Sequence, residues 1–221
     1  MLERWRFERQ LRGLAKRQHE VLCRYANADW PERHCPAAEA PFVALDFELD
    51  GLRADAHLLQ AGWVPFAGQS ISMVGAHSVD VHSDADLDAQ AVTIHGIGEQ
   101  RAAKGQPIEE VIHTLIQALA GRILVAHAAA IEVTALQRAV KAVFDAQLPV
   151  RSVCTLTLER ELNPNLVGGE AYRLGPSRAR YGLPEYEAHD ALTDAIAAAE
   201  LFQAQLSRLP DDVTLARLER S

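Results

Sequence analysis

The feature that most constrains this chain is a change of hydrophobic period along its length. From Pro41 the apolar residues come in short runs, FVALDF at 42–47, HLLQAGWVPF at 57–66 and SISMVGA at 70–76, separated by the turn-prone DGLRADA and AGQ. Runs of that length between turn residues predict three strands in a meander of hairpins. After a polar stretch the period lengthens. PIEEVIHTLIQALAG at 107–121 opens with Pro at a first-turn position, repeats apolar residues at helical spacing and stops at Gly121, which predicts a helix. RILVAH (122–127) then reads as a buried strand and IEVTALQRAVKAVFDAQ (131–147) as a helix. LPVRSVCT (148–155) reads as a short strand leading into TLERELN, and HDALTDAIAAAELFQAQLS (189–207) as a long alanine-rich helix with an apolar face. This order calls for an α/β fold with a mixed five-stranded sheet, antiparallel at the start and parallel later, flanked by helices.

Ahead of this domain, residues 1 to 28 set Trp5, Leu11, Leu14, Val21, Leu22 and Tyr25 among arginines and glutamates, as an amphipathic helix would. WPERHCPAAEAP follows as a linker. The chain therefore divides into a helical arm with a Pro-containing linker (1–40), a main domain (41–208) and a short tail (209–221). Mixed charge on the arm fits a solvated face, a phosphate contact or a surface for a protein partner. The formal net charge of −8 argues against a broad basic face that grips duplex nucleic acid, but not against carboxylates that hold cations. No apolar run is long enough to span a membrane and the charged N-terminus does not resemble a secretory signal, so a cytoplasmic protein is expected. Cys23, Cys35 and Cys154 are too few and too irregularly spaced for a disulfide framework, and Cys23, His34 and Cys35 lack the paired spacing of a zinc site.

Two segments carry chemistry. In FVALDFELDG, Asp46 and Glu48 are two apart at a strand end, so the pleat sets both on one face while Phe47 turns to the core. Adjacent like charges raise each other's pKa unless a cation lies between them, and hard carboxylate oxygens suit Mg²⁺ or Mn²⁺. In EAHDALTDAIAAAELF, Asp194 falls in the first turns of the last long helix, where the dipole favours a carboxylate. His189 lies five positions earlier, off the helical face of Asp194, in a loop or first turn where it could serve as a general base. His189 or Asp190 could equally cap the helix.

Taken together, DFELDG, TIHGIGEQ, LVAHAAAIE and YGLPEYEAHDALTDA resemble, in order and separation, the DEDDh exonucleases, a family that includes the proofreading epsilon subunit of bacterial DNA polymerase III and has a ribonuclease H-like fold. Asp46 and Glu48 match the family's D-x-E, and His189, Ala191 and Asp194 match its H-x-A-x-x-D. The second motif departs from A-H-N-x-x-F-D: Ala128 replaces the Asn, Ile131 the aromatic and Glu132 the Asp, while Leu49 and Asp50 replace two threonines of the first motif. The resemblance implies a 3′→5′ exonuclease that releases 5′-mononucleotides from single-stranded or frayed 3′ ends of DNA or RNA. It implies two metal ions, one on Asp46, Glu48 and Asp194 and the second on Asp46 and Glu132, with His189 as general base. Leu49, His95 of the IHGI segment, Ala128 and Ile131 fall at substrate-binding positions, where the lost polar and aromatic groups would weaken the grip on the 3′ end. A binding or scaffold protein that keeps the fold without turnover is the alternative.

Overall fold

The computed structural model describes residues 2–51, 53 and 56–219. Leu52, Ala54 and Asp55 of the expected DGLRADA turn lie outside them, as do the side chains of residues 2–4. In chain order the elements are α1 (Leu2–Leu14), α2 (Glu20–Ala26), β1 (Pro41–Leu49), β2 (Leu58–Ala67), β3 (Ser70–Ile71), β4 (His77–Asp80), α3 (Ala89–His95), α4 (Glu99–Ala102) and α5 (Ile108–Leu119). They continue with β5 (Ile123–Ala126), α6 (Ala129–Phe144), β6 (Ser152–Cys154), α7 (Thr155–Leu162), α8 (Leu174–Arg180), α9 (Ala191–Leu206) and α10 (Leu215–Leu218).

Among the described residues the sheet has six strands, a correction to the five expected. β1 is central, antiparallel to β2 and parallel to β5, and β6 continues the parallel side. Of the run expected as the third strand, 70–76, only β3 (70–71) is strand; β4 (77–80) follows it, and both lie on the outer edge of β2. Pro65 explains the break. Its carbonyl faces that edge and accepts from Ser72 N (3.0 Å), but it has no N–H to return, so pairing lapses between the two short strands.

Strand alternation sorts the core into two layers. Val43, Leu45 and Phe47 of β1 pack with α2, α5 and α6; Phe42 and Ala44 pack with α7, α9 and α10. Each fully buried Leu or Phe contributes about 1.5–3 kcal/mol. The arm is two helices, interrupted at residues 15–19, rather than one. It docks through buried Val21, Leu22 and Tyr25, whose hydroxyl donates to Pro149 O (2.7 Å). Residues on either side of the main domain meet: Pro36 bridges Thr214, Leu215 N donates to Cys35 O (3.1 Å) and Ala216 N to Arg33 O (2.7 Å). Glu219 pairs there with Arg151 (2.6 Å) and Arg33 (3.3 Å), while Leu215 and Leu218 are fully buried. No described helix is long and apolar enough to cross a membrane.

Helix α9 approaches β2 more closely than any side chain would allow. A Cβ on Gly62 would lie 2.1 Å from the Ala191 carbonyl carbon and the Leu192 nitrogen. The alanines at 191, 195 and 199 keep the rest of that face low, and Gln60 Oε1 accepts from Ala191 N (2.9 Å). The first turn of α9 is thereby held over the end of β1.

Candidate active site

Even-numbered residues of β1 face α9, so Asp46 and Glu48 project toward the helix that carries Asp194. A register shift between Glu48 and Leu49 leaves Leu59 of β2 unmatched before the pairing resumes at Leu49 with Leu58; bulges of this kind re-aim side chains beside functional sites. From the other layer, Glu132 enters on the first turn of α6. Ala128 makes the turn from β5 into that helix in the left-handed conformation (φ 67°, ψ 46°), with no side-chain cap. His189 stands in the loop before α9, also left-handed (φ 70°), and its backbone N–H donates to Asp194 Oδ2 (2.8 Å). Asp190, not His189, caps α9: its Oδ1 accepts from Thr193 N (3.0 Å) and Oγ1 (2.9 Å).

These elements bring the acidic groups together. One ligand atom each from Glu48, His189 and Asp194 lie within 4.8 Å of one another. Asp46 is held well above the usual carboxylate range by burial and then by the charges of Glu132, Asp194 and Glu48. Burial, then Asp194 and Asp190, pushes Glu48 up to about 7. Glu132, 4% exposed, is pushed up to about 8 by burial and by Glu48, with the Phe47 backbone acting in the opposite sense. Asp194 is raised by burial, against the hydrogen bond from His189. Four carboxyls raised together, and a Glu132 Oε2 buried without a hydrogen-bond partner among the described residues, fit a divalent cation chemically: oxygen donors suit it, and its charge would relieve their repulsion.

All nine residues singled out from the sequence, Asp46, Glu48, Leu49, His95, Ala128, Ile131, Glu132, His189 and Asp194, line one open cleft of about 1210 Å³. His95 is nearly buried. Its Nδ1 accepts from Ile97 N (3.1 Å), which leaves the proton on Nε2, and that atom has no partner among the described residues. Burial, then His189 and Arg101, keeps its pKa below the ordinary value, so the ring is neutral and offers a donor. His127 is differently placed: it bridges Thr155 Oγ1 and Tyr172 O, both at 2.9 Å, and burial lowers it to about 4. Asp50 leaves the cleft altogether, fully buried and accepting from His57 N (2.6 Å) and Arg53 (2.9 Å). The sequence reading missed the rest of the lining. Arg160, Arg173 and Arg53 put positive charge at the cleft of an acidic protein, and Tyr172 and Tyr186 add aromatic surface. The only local signal was the basic run at Arg173, Arg178 and Arg180.

This is the architecture of a nuclease fold with a carboxylate-rich centre. The exonuclease family (RNase_T) matches residues 43–202, well over half of the sequence, and the chain belongs to that family, of DEDDh type. Its members are metal-dependent hydrolytic nucleases. Among solved structures it is similar to the zinc-bound complex of E. coli exonuclease I with single-stranded DNA, at 16% identity and a TM-score of 0.67 over 78% of this chain and 41% of that one. It is also similar to cell-death related nuclease 4 (18%, TM-score 0.65, 80% and 66%) and to exonuclease X in complex with 5′-overhanging duplex DNA (23%, TM-score 0.59, 80% and 99%). The chain thus spans about two fifths of exonuclease I. No curated protein sequence matches it.

Proposed function

We propose that this chain is a 3′→5′ exonuclease that removes 5′-mononucleotides from single-stranded or frayed 3′ ends, with two ions of Mg²⁺ or Mn²⁺ as cofactors. The observation that carries the reading is the convergence of Asp46, Glu48, Glu132, Asp194 and His189, from three separate segments, on one cleft. Asp46, Glu48 and Asp194 would hold one ion, Asp46 and Glu132 the other. When bound, such ions supply positive charge to the oxygens of a phosphodiester under attack. His189, on an exposed loop with its ring against the carboxylates, is placed to take the proton of the attacking water. Leu49 and Ile131 offer apolar contact to a terminal nucleotide, and His95 Nε2–H offers it a hydrogen bond. Ala128 leaves room where the family has an amide. Arg160 and Arg173 attract the phosphates that follow. The single-stranded and overhanging DNA named for exonucleases I and X supports a strand end as substrate. Residues 41–208 form the nuclease domain in this reading, with 1–40 and 209–221 as additions.

Labelled single-stranded DNA and RNA oligonucleotides test it. With Mg²⁺ or Mn²⁺, a 3′ label is expected to leave at once as mononucleotide while a 5′-labelled strand shortens as a ladder, and EDTA abolishes both. Early release of the 5′ label would reverse the polarity. Tight binding of an oligonucleotide that stays intact would favour a non-catalytic binding protein, the reading to which Ala128 and Ile131 lend support.

A further inference from the structure

The loop between α8 and α9 carries His189, yet residues 184–189 are all exposed, so little apolar burial holds them. Its end is fastened by the hydrogen bonds of His189 N to Asp194 and Ala191 N to Gln60. Its first half hangs on a single buried cation. Arg178 of α8 is 3% exposed. Its Nη1 donates to Ala197 O on α9 (2.7 Å), and its Nη2 to Pro184 O of the loop (2.9 Å) and Glu200 Oε2 of α9 (2.7 Å). The Tyr186 ring lies 4.5 Å from the guanidinium carbon, and its hydroxyl donates to Glu200 Oε1 (2.9 Å). One guanidinium therefore ties Pro184 and Tyr186 to the helix whose first turn bears Asp194.

A buried cation is costly unless paired and hydrogen-bonded, and Arg178 is both. The planar fork reaches Ala197 O from one nitrogen and Pro184 O and Glu200 from the other with its face on the Tyr186 ring; a lysine ammonium offers a single nitrogen in their place. Both terminal nitrogens are engaged by protein acceptors, so the side chain acts on the loop and not on a substrate phosphate. We infer that Arg178, with Tyr186 and Glu200, is a positioning residue that fixes His189 relative to Asp194 by clamping the loop to α9. Its catalytic consequence rests on the exonuclease reading above; the clamp itself does not.

The test uses the full chain, with Arg178→Lys and Tyr186→Phe, the latter losing a single hydroxyl. Amide hydrogen exchange is expected to quicken at His189 and Ala191, the loop-end amides bonded to Asp194 and Gln60, in both variants, with the sheet unchanged. On a single-stranded oligonucleotide, kcat is expected to fall roughly 10- to 100-fold, with KM within about 2-fold, as for a misplaced catalytic group. In a His189→Ala background neither change is expected to cost anything further, because no base remains to be positioned. Unchanged exchange at His189 and Ala191, or an equal loss of rate without His189, would overturn the inference. If Arg178→Lys does not fold, Tyr186→Phe decides alone. If the unaltered chain leaves oligonucleotides intact, the exonuclease reading fails, and exchange at His189 and Ala191 still decides for or against the clamp.

Discussion

Glu132 and Ala128 lie four residues apart on the same turn into α6, and each makes a prediction at the scale of one side chain. Glu132 keeps the family's charge at one methylene greater reach, and its carboxyl is buried against Asp46 and Glu48. Mg²⁺ tolerates displaced ligands less well than Mn²⁺. Glu132→Asp is therefore expected to raise the Mg²⁺-supported rate relative to the Mn²⁺-supported one, read from rate against metal concentration. A slower variant at saturating Mg²⁺ would mean that the longer side chain is the adapted ligand. Ala128 is held at φ 67°, a conformation that costs an L-residue with a plain methyl about 1–2 kcal/mol and that Asn enters readily. Ala128→Asn is expected to raise the melting temperature by roughly 2–4 °C per kcal/mol recovered. No gain in thermal melts would show that the turn is not strained.

At the scale of elements, the site depends on how near α9 can come to β2. Gly62→Ala would set a methyl 2.1 Å from the α9 backbone, so the helix must shift, and with it His189 and Asp194. We expect a loss of about 1–3 kcal/mol or more in denaturant unfolding and a larger loss of turnover than that instability explains; near-normal activity would show the two elements to be less tightly coupled. The same elements show what could be read in advance. The period-2 pleat placed Asp46 and Glu48 on one face because that rule acts over a few residues, whereas helical spacing set His189 off the face of Asp194 and only the family resemblance, through H-x-A-x-x-D, put the two in one site. The early end of the third strand at Ile71 was less legible, since it follows from Pro65 on a different strand. The burial of Asp50 was hidden because a charged turn residue looks solvated until Arg53 and His57 N are seen against it. Arg160 and Arg173 reach the cleft from separate segments, and no local pattern reports such convergence.

For the whole molecule, the raised carboxyls make stability depend on pH and on cations together. A carboxyl held above its ordinary value favours the folded state while both states are protonated, and that contribution is lost as pH rises through the folded value. With Glu48 near 7 and Glu132 near 8, melting temperature in EDTA is expected to fall from pH 5 to pH 8, and Mn²⁺ or Mg²⁺ to restore it at pH 8. Glu132→Gln should flatten the slope; a flat profile for the unaltered chain in EDTA would mean that the cluster does not strain the fold. The pairing of residues 33–36 with 214–219 has a mechanical consequence. Because Glu219 grips Arg151 and Arg33 while Leu215 and Leu218 fill the core, the stretches before β1 and after α9 form one clasp that closes the chain into a ring. Removing residues 209–219 should therefore loosen the far end of the sequence as well, seen as faster proteolysis within residues 5–40. A pull on either end would have to open this clasp before any load reached the sheet.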